Sequence, residues 1–244
     1  MAKRDMDLQK LMSLARQAID DYNMIEDGDR IAVGISGGKD SLTLLMVLNG
    51  LKRFYPKRFD IEAISVDLGF GNIDFSKIKT FCDNINVPYT VVDTGISDIV
   101  FNIKAEKSPC SLCAKLRKGA FNTKVIELKC NKSAFGHHRD DVINTMMLSL
   151  IYEGRFYSFA PVTELDRSGL TLIRPLIYIN EADIKGYCNK NNIPVLKNPC
   201  PVDGKTKRQY VKNLVTQINR DNPGVKDRMF TAILNGVDHY RKAD

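Results

Sequence analysis

Leu8, Leu11, Met12, Leu14, Ala15 and Ile19 recur at helical spacing, so the chain opens with an amphipathic helix over 7–22. The pattern then changes. Arg30-Ile31-Ala32-Val33-Gly34-Ile35 is a short apolar run of the kind a buried strand has, and 41–54 returns to helical spacing. The alternation continues with strands at 61–67, 89–93 and 132–136, helices at 75–84, 112–128 and 140–152, and a longer connection over 94–110. A fifth strand is expected at 170–174, then a helix at 181–191 with Asn180 as its N-cap. This alternation predicts an α/β fold, a parallel sheet flanked by helices on both faces. Helices at 206–219 and 224–240 follow the last sheet unit. The expected organisation is a helical N-terminal segment (1–28), a sheet domain (29–196) and a helical C-terminal extension (197–244).

Charge singles out that extension. The 244 residues carry a net charge of +7, and 197–244 holds ten Lys and Arg against five Asp and no Glu, which is +5 of the +7. A basic tail suits a polyanion, and equally a solvated helical face. Nothing apolar approaches the ~20 residues that span a bilayer, and the first residues lead into no signal-like core. A cytoplasmic protein with no membrane contact is expected. There the six cysteines would be reduced. Cys82, Cys130 and Cys188 stand alone in helix-like patterns and read as core residues.

The strongest chemical signal is Ser36-Gly37-Gly38-Lys39-Asp40-Ser41, between the first strand and a helix. Two glycines let the backbone approach an anion, and the helix start offers unpaired N–H groups and a positive dipole end. Ser36 and Ser41 add hydroxyls, and Lys39 adds a charge suited to a leaving pyrophosphate. The spacing is not that of a Walker loop. Cys110-Ser111-Leu112-Cys113 stands just before a helix, and Cys200 lies between Pro199 and Pro201. Three thiolates without an obvious fourth ligand suit a cluster with one open iron, while a zinc site with three Cys and one His stays open. Gly136-His137-His138-Arg139-Asp140-Asp141 follows the fourth strand, where open α/β sheets bind ligands. Asp140 and Asp141 are candidates for Mg²⁺, and Asp140 alone could be a helix N-cap.

The first of these segments resembles the PP-loop of N-type ATP pyrophosphatases. Joined in order by Pro109-Cys110-Ser111-Leu112-Cys113-Ala114-Lys115-Leu116-Arg117-Lys118-Gly119, by the Gly136–Asp141 segment, by Ile173-Arg174-Pro175-Leu176 and by Pro199-Cys200, it resembles the tRNA 2-thiocytidine biosynthesis family. The resemblance implies a Rossmann-like fold of the adenine nucleotide alpha hydrolase (HUP) type. It implies ATP with Mg²⁺, and a [4Fe-4S] cluster held by Cys110, Cys113 and Cys200. It places Ser36, Gly37, Gly38, Lys39, Asp40, Ser41, Val66, Asp67, Gly136, His137 and Asp141 around ATP, with Lys39, Asp141 and Arg117 as catalytic residues. A tRNA cytidine in the anticodon loop would be the substrate. Sulfide or a cysteine desulfurase persulfide would donate sulfur, and PP-loop enzymes often form homodimers. Lys205, Lys207, Arg208 and Lys212 would contact RNA phosphates, which position rather than read the substrate. Two features depart from the family. Pro201-Val202-Asp203-Gly204 follows Cys200 where a further cysteine is usual, and the chain is short. Three other readings stand beside this one: ATP- and cluster-dependent thiolation or desulfuration of a free base or small molecule, a zinc-containing ligase forming lysidine or amides, and a non-catalytic ATP- or RNA-binding module.

Overall fold

The computed structural model describes residues 7–71, 73–103, 109–166, 168–196, 200 and 206–240. The first helix, α1 (Leu8–Asp21), is capped by Asp7, whose carboxylate accepts the Lys10 N–H at 2.9 Å. Strand β1 (Asp29–Gly34) leads through the glycine loop into α2 (Lys39–Leu51). Then come β2 (Phe59–Asp67), α3 (Ser76–Asn84) and β3 (Tyr89–Asp93). The connection after β3 holds a short turn, α4 (Ile96–Asp98), and a π turn over Ile99–Ile103. Helix α5 runs Pro109–Glu127, followed by β4 (Lys132–Ala134) and α6 (Arg139–Glu153). The remainder is β5 (Val162–Leu165), β6 (Leu170–Ile173), α7 (Glu181–Lys190), α8 (Lys207–Asp221), α9 (Val225–Gly236) and a 3-10 turn, Asp238–Tyr240.

Among the described residues the strands form one sheet in the order β3-β2-β1-β4-β6-β5. All neighbours are parallel except β5 and β6. The expected parallel sheet is thus present, with an antiparallel edge strand that the apolar pattern did not announce. Val162-Thr163-Glu164-Leu165 is only part-buried and carries no apolar run, because an edge strand has just one partner to cover it.

Strand residues alternate between two cores, as the two-residue period requires. Ile31, Val33, Ile61 and Ala63 face the larger core; Ala32 and Ile64 face the smaller one beneath Phe121 and Val125 of α5. Leu11, Ala15 and Ile19 of α1 join the larger core, and so do Val211, Val215, Phe230 and Ile233 of α8 and α9. Both terminal segments therefore share the sheet's own core. Cys82, Cys130 and Cys188 are buried, as their isolated positions suggested. Among the described residues no helix is long and apolar enough to cross a membrane.

Candidate active site

Strand order reverses between β1 and β4, and the carboxyl ends of strands at such a switch point are where open α/β sheets bind ligands. Chain connectivity puts the two richest motifs on its two sides. Ser36–Ser41 follows β1, and Gly136–Asp141 follows β4. They touch. A Cβ on Gly136 would stand 2.8 Å from the Asp40 carbonyl carbon and oxygen, so only glycine lets the second loop lie on the first. A third segment arrives from far along the chain. The Leu196 N–H donates to the Gly37 carbonyl at 2.9 Å, and Leu196 packs where a Gly37 side chain would be, at a φ of +77°.

The two serines divide the work. Ser41 is buried, donates to the Gly38 carbonyl at 2.9 Å and accepts the Ser36 N–H at 3.2 Å, so its hydroxyl shapes the loop. Ser36 stays exposed. Gly38 caps α2 without a side chain, which leaves the helix N-terminus open to an anion.

Lys39 is held in ion pairs. Its Nζ lies 3.0 Å from Asp40 and 3.0 Å from Glu181 Oε1. Burial would lower its pKa, but Asp40 and Glu181 outweigh this and raise it, keeping the ammonium charged. Glu181 also takes Lys212 Nζ of α8 at 2.7 Å. Burial would raise that carboxyl; hydrogen bonds from Lys212 and Lys39 hold it down at about 2. Glu181 escaped the sequence reading because an acidic residue in a first helical turn already has a reason to be there, the helix dipole. Its partner Lys39 is 142 positions away, and no local signal joins them.

The acidic pair splits. Helix α6 starts at Arg139, with His138 as N-cap, so Asp140 is not the cap. Asp140 is buried with both oxygens engaged: Oδ2 accepts the Glu181 N–H at 2.8 Å and Oδ1 accepts Lys226 Nζ at 2.6 Å. Its carboxylate caps α7 from outside, and Asn180, at the expected N-cap position, makes no side-chain cap bond. Each Asp140 oxygen already takes one protein donor, so Mg²⁺ there would compete with the Glu181 N–H and the Lys226 ammonium. Asp141 is better placed. It accepts the His138 N–H through Oδ2 at 3.1 Å, and Oδ1 lies 3.8 Å from Arg208.

Asp141 lines a cleft of about 210 Å³ between α6 and α8, together with His138, Asn144, Arg208, Gln209 and Lys212. Four basic residues of this region were expected to meet RNA. Lys212 reaches Glu181 beside Lys39, Arg208 lies against Asp141 and Thr145 of α6, Lys207 Nζ sits over the Tyr152 ring at 4.5 Å, and Lys205 lies outside the described residues. His137 packs against Phe159 at 5.0 Å between ring centres; burial first, then Arg174, push its pKa well below the ordinary imidazole value, so it is neutral at pH 7. Val66 and Asp67 end β2, the neighbour of β1, and Asp67 Oδ1 accepts the Gly69 N–H at 3.0 Å.

The cysteine motif lies inside the first turn of α5 and not before it. Cys110 is exposed; Cys113 and Cys200 are half-buried. Burial raises the Cys113 thiol pKa, Arg117 one turn on opposes this, and Cys200 and Cys110 add to it. The three sulfurs and Arg117 therefore share one electrostatic neighbourhood. Their donor chemistry suits iron. Among the described residues no three Cys, His, Asp or Glu side chains converge at metal-ligating distance, and the neighbours of Cys200 at 197–199 and 201–205 lie outside the described residues.

A family model for the PP-loop domain matches residues 8–218. The chain is 35% identical over 235 residues to a tRNA-cytidine(32) 2-sulfurtransferase from Geobacter sulfurreducens, covering 95% of this chain and 91% of the relative. It is 38% identical to an enzyme of the same name from Aliivibrio salmonicida, over 95% of this chain and 76% of the relative. Among solved structures, the U34-tRNA thiolase NcsA from Methanococcus maripaludis, with its [4Fe-4S] cluster, superposes with a TM-score of 0.73 at 23% identity, over 94% of this chain and 80% of that one. An NH3-dependent NAD synthetase from Campylobacter jejuni superposes over 98% of both chains with a TM-score of 0.51 at 16% identity. These two structural matches bear on the fold.

Proposed function

We propose that this chain, which belongs to the PP-loop domain family, is an ATP-dependent tRNA sulfurtransferase that replaces the C2 oxygen of an anticodon-loop cytidine with sulfur. The observation that carries this reading is the meeting of three segments on the phosphate loop: Gly136 against Asp40, Leu196 bonded to Gly37, and Lys39 paired with Glu181. The second of these brings Leu196, four residues before Cys200, to the phosphate loop, which supports adenylation and sulfur delivery sharing one crevice.

In the first step the cytidine C2 oxygen attacks the α-phosphorus, and the α–β bond breaks to release pyrophosphate. The open N-terminus of α2 and the Lys39 ammonium would hold the departing charge. Asp141 would hold Mg²⁺, and Arg117 would steady charge near the thiols. In the second step a sulfur nucleophile attacks C2, and AMP leaves with the original oxygen. Cys110, Cys113 and Cys200 would hold a [4Fe-4S] cluster, which supplies an iron without a protein ligand where a soft sulfur species binds. Sulfide as donor keeps the exchange redox-neutral; a desulfurase persulfide would need two further electrons. A tRNA substrate would put the enzyme in the cytoplasm, and pairing into a homodimer belongs to the same proposal.

The test is to incubate cluster-reconstituted protein with ATP, Mg²⁺, sulfide and unmodified tRNA, then to analyse nucleosides by mass spectrometry. 2-Thiocytidine, AMP and pyrophosphate are expected in equal amounts. Intact cluster and ATP binding without any thionucleoside would overturn the tRNA reading.

A further inference from the structure

The C-terminal helices are basic, yet two cations of α8 lie against acidic residues of the site. Lys212 reaches Glu181 Oε1 at 2.7 Å, the same oxygen that Lys39 approaches at 3.0 Å. One carboxylate oxygen thus serves two ammonium groups. Arg208 is half-exposed and lies 3.8 Å from Asp141, beyond hydrogen-bond reach, with a long 3.3 Å bond to Thr145 Oγ1. Neither cation is saturated. Both line the cleft between α6 and α8, and so does His138, which is 4% exposed with no partner for its Nδ1.

We propose that α8 completes the nucleotide site, with Arg208 and Lys212 binding the β- and γ-phosphates of ATP and then the released pyrophosphate. This rests on the reading of Ser36–Ser41 as the phosphate loop. Charge supports it. Lys39, Arg208 and Lys212 are balanced by Asp40, Glu181 and Asp141. A divalent cation on Asp141 would leave the cluster positive and release Arg208 from its only carboxylate among the described residues, so the cluster would match a polyanion carrying Mg²⁺. Position supports it too. His138 lies in the cleft and its Nε2 is 3.7 Å from Asp40 of the phosphate loop, so the cleft and the loop are contiguous. Thr206, the N-cap of α8, also lines the cleft, which brings a second helix N-terminus to the same volume. Arg suits this task because its planar fork takes two phosphate oxygens at once.

The experiment compares wild type with R208A, R208K and K212A in two titrations. One uses inorganic pyrophosphate and α,β-methylene ATP with Mg²⁺, followed by calorimetry; the other uses a tRNA transcript, followed by gel shift. R208A and K212A should each weaken both phosphate ligands by about tenfold or more, as loss of a charge-assisted contact does. R208K should recover part of that loss, and tRNA affinity should change by less than about twofold. R208K keeps the charge and the helix, so its partial recovery also separates ligand contact from misfolding. Weakened tRNA binding with unchanged pyrophosphate affinity would overturn the proposal and return both residues to an RNA surface. Wild type that binds neither phosphate ligand would instead sink the phosphate-loop reading itself.

Discussion

Gly136 stands where a methyl group has no room. Its Cβ would meet the Asp40 carbonyl at 2.8 Å and the Ser41 nitrogen at 3.0 Å, both backbone and neither able to rotate away. The same closeness presses the β4–α6 loop onto the phosphate loop. Gly136→Ala should therefore displace Ser36–Ser41 relative to Asp141. Overpacking of this kind costs about 1–3 kcal/mol, and ATP affinity should fall by about tenfold or more, since misplaced phosphate contacts lose their geometry. Calorimetry with α,β-methylene ATP alongside a urea melt checks both. Unchanged affinity in a folded variant would show that the two loops need not touch. Glycine was visible at this position in the sequence; the reason for it was not, because Asp40 is 96 positions away.

Helix α7 shows how an element can be anchored by a residue outside it. Asp140 of α6 accepts the Glu181 N–H and also holds Lys226 of α9, so one carboxylate links three helices. Burial alone would raise its pKa; the backbone bond from Glu181 and the Lys226 ammonium outweigh that and lower it. A depressed carboxylate pKa stabilises the fold above the unfolded value of about 3.9, and the contribution is lost as pH falls through the folded value. Asp140→Asn should cost about 1–3 kcal/mol at neutral pH by leaving Lys226 without its charge partner. The wild-type advantage should shrink as pH falls below about 4. Urea unfolding of both proteins at pH 7 and pH 3 measures this. A constant gap across that range would show that Asp140 acts by shape alone.

For the molecule as a whole, the sheet and the phosphate loop are parts of one arrangement, and the proposed cluster cysteines would join it. Cys200 lies four residues beyond Leu196, whose backbone is tied to Gly37. Cys200→Ala should abolish cluster incorporation, read as iron content and visible absorption of anaerobically reconstituted protein. The urea midpoint of the cluster-free protein should stay unchanged, because the Leu196–Gly37 bond and the core are untouched. Undiminished iron would remove Cys200 as a ligand.

Alternation of short apolar runs and helical patterns was enough to specify an α/β fold, since a strand covered on both faces is apolar throughout and a helix only along one stripe. The phosphate loop was legible for the same reason of locality: a strand, two glycines, a lysine and a helix start lie within a dozen residues. Strand order, and with it the switch point between β1 and β4, came only with the tertiary structure, because pairing joins segments about a hundred residues apart. So did the division of labour between Asp140 and Asp141, which are adjacent in sequence but face different partners after a 100° turn of helix. The positive tail was equally plain in the sequence. Its direction was not: charge is a property of composition, but whether Lys212 meets solvent, RNA or Glu181 depends on which face of α8 the core claims through Val211 and Val215.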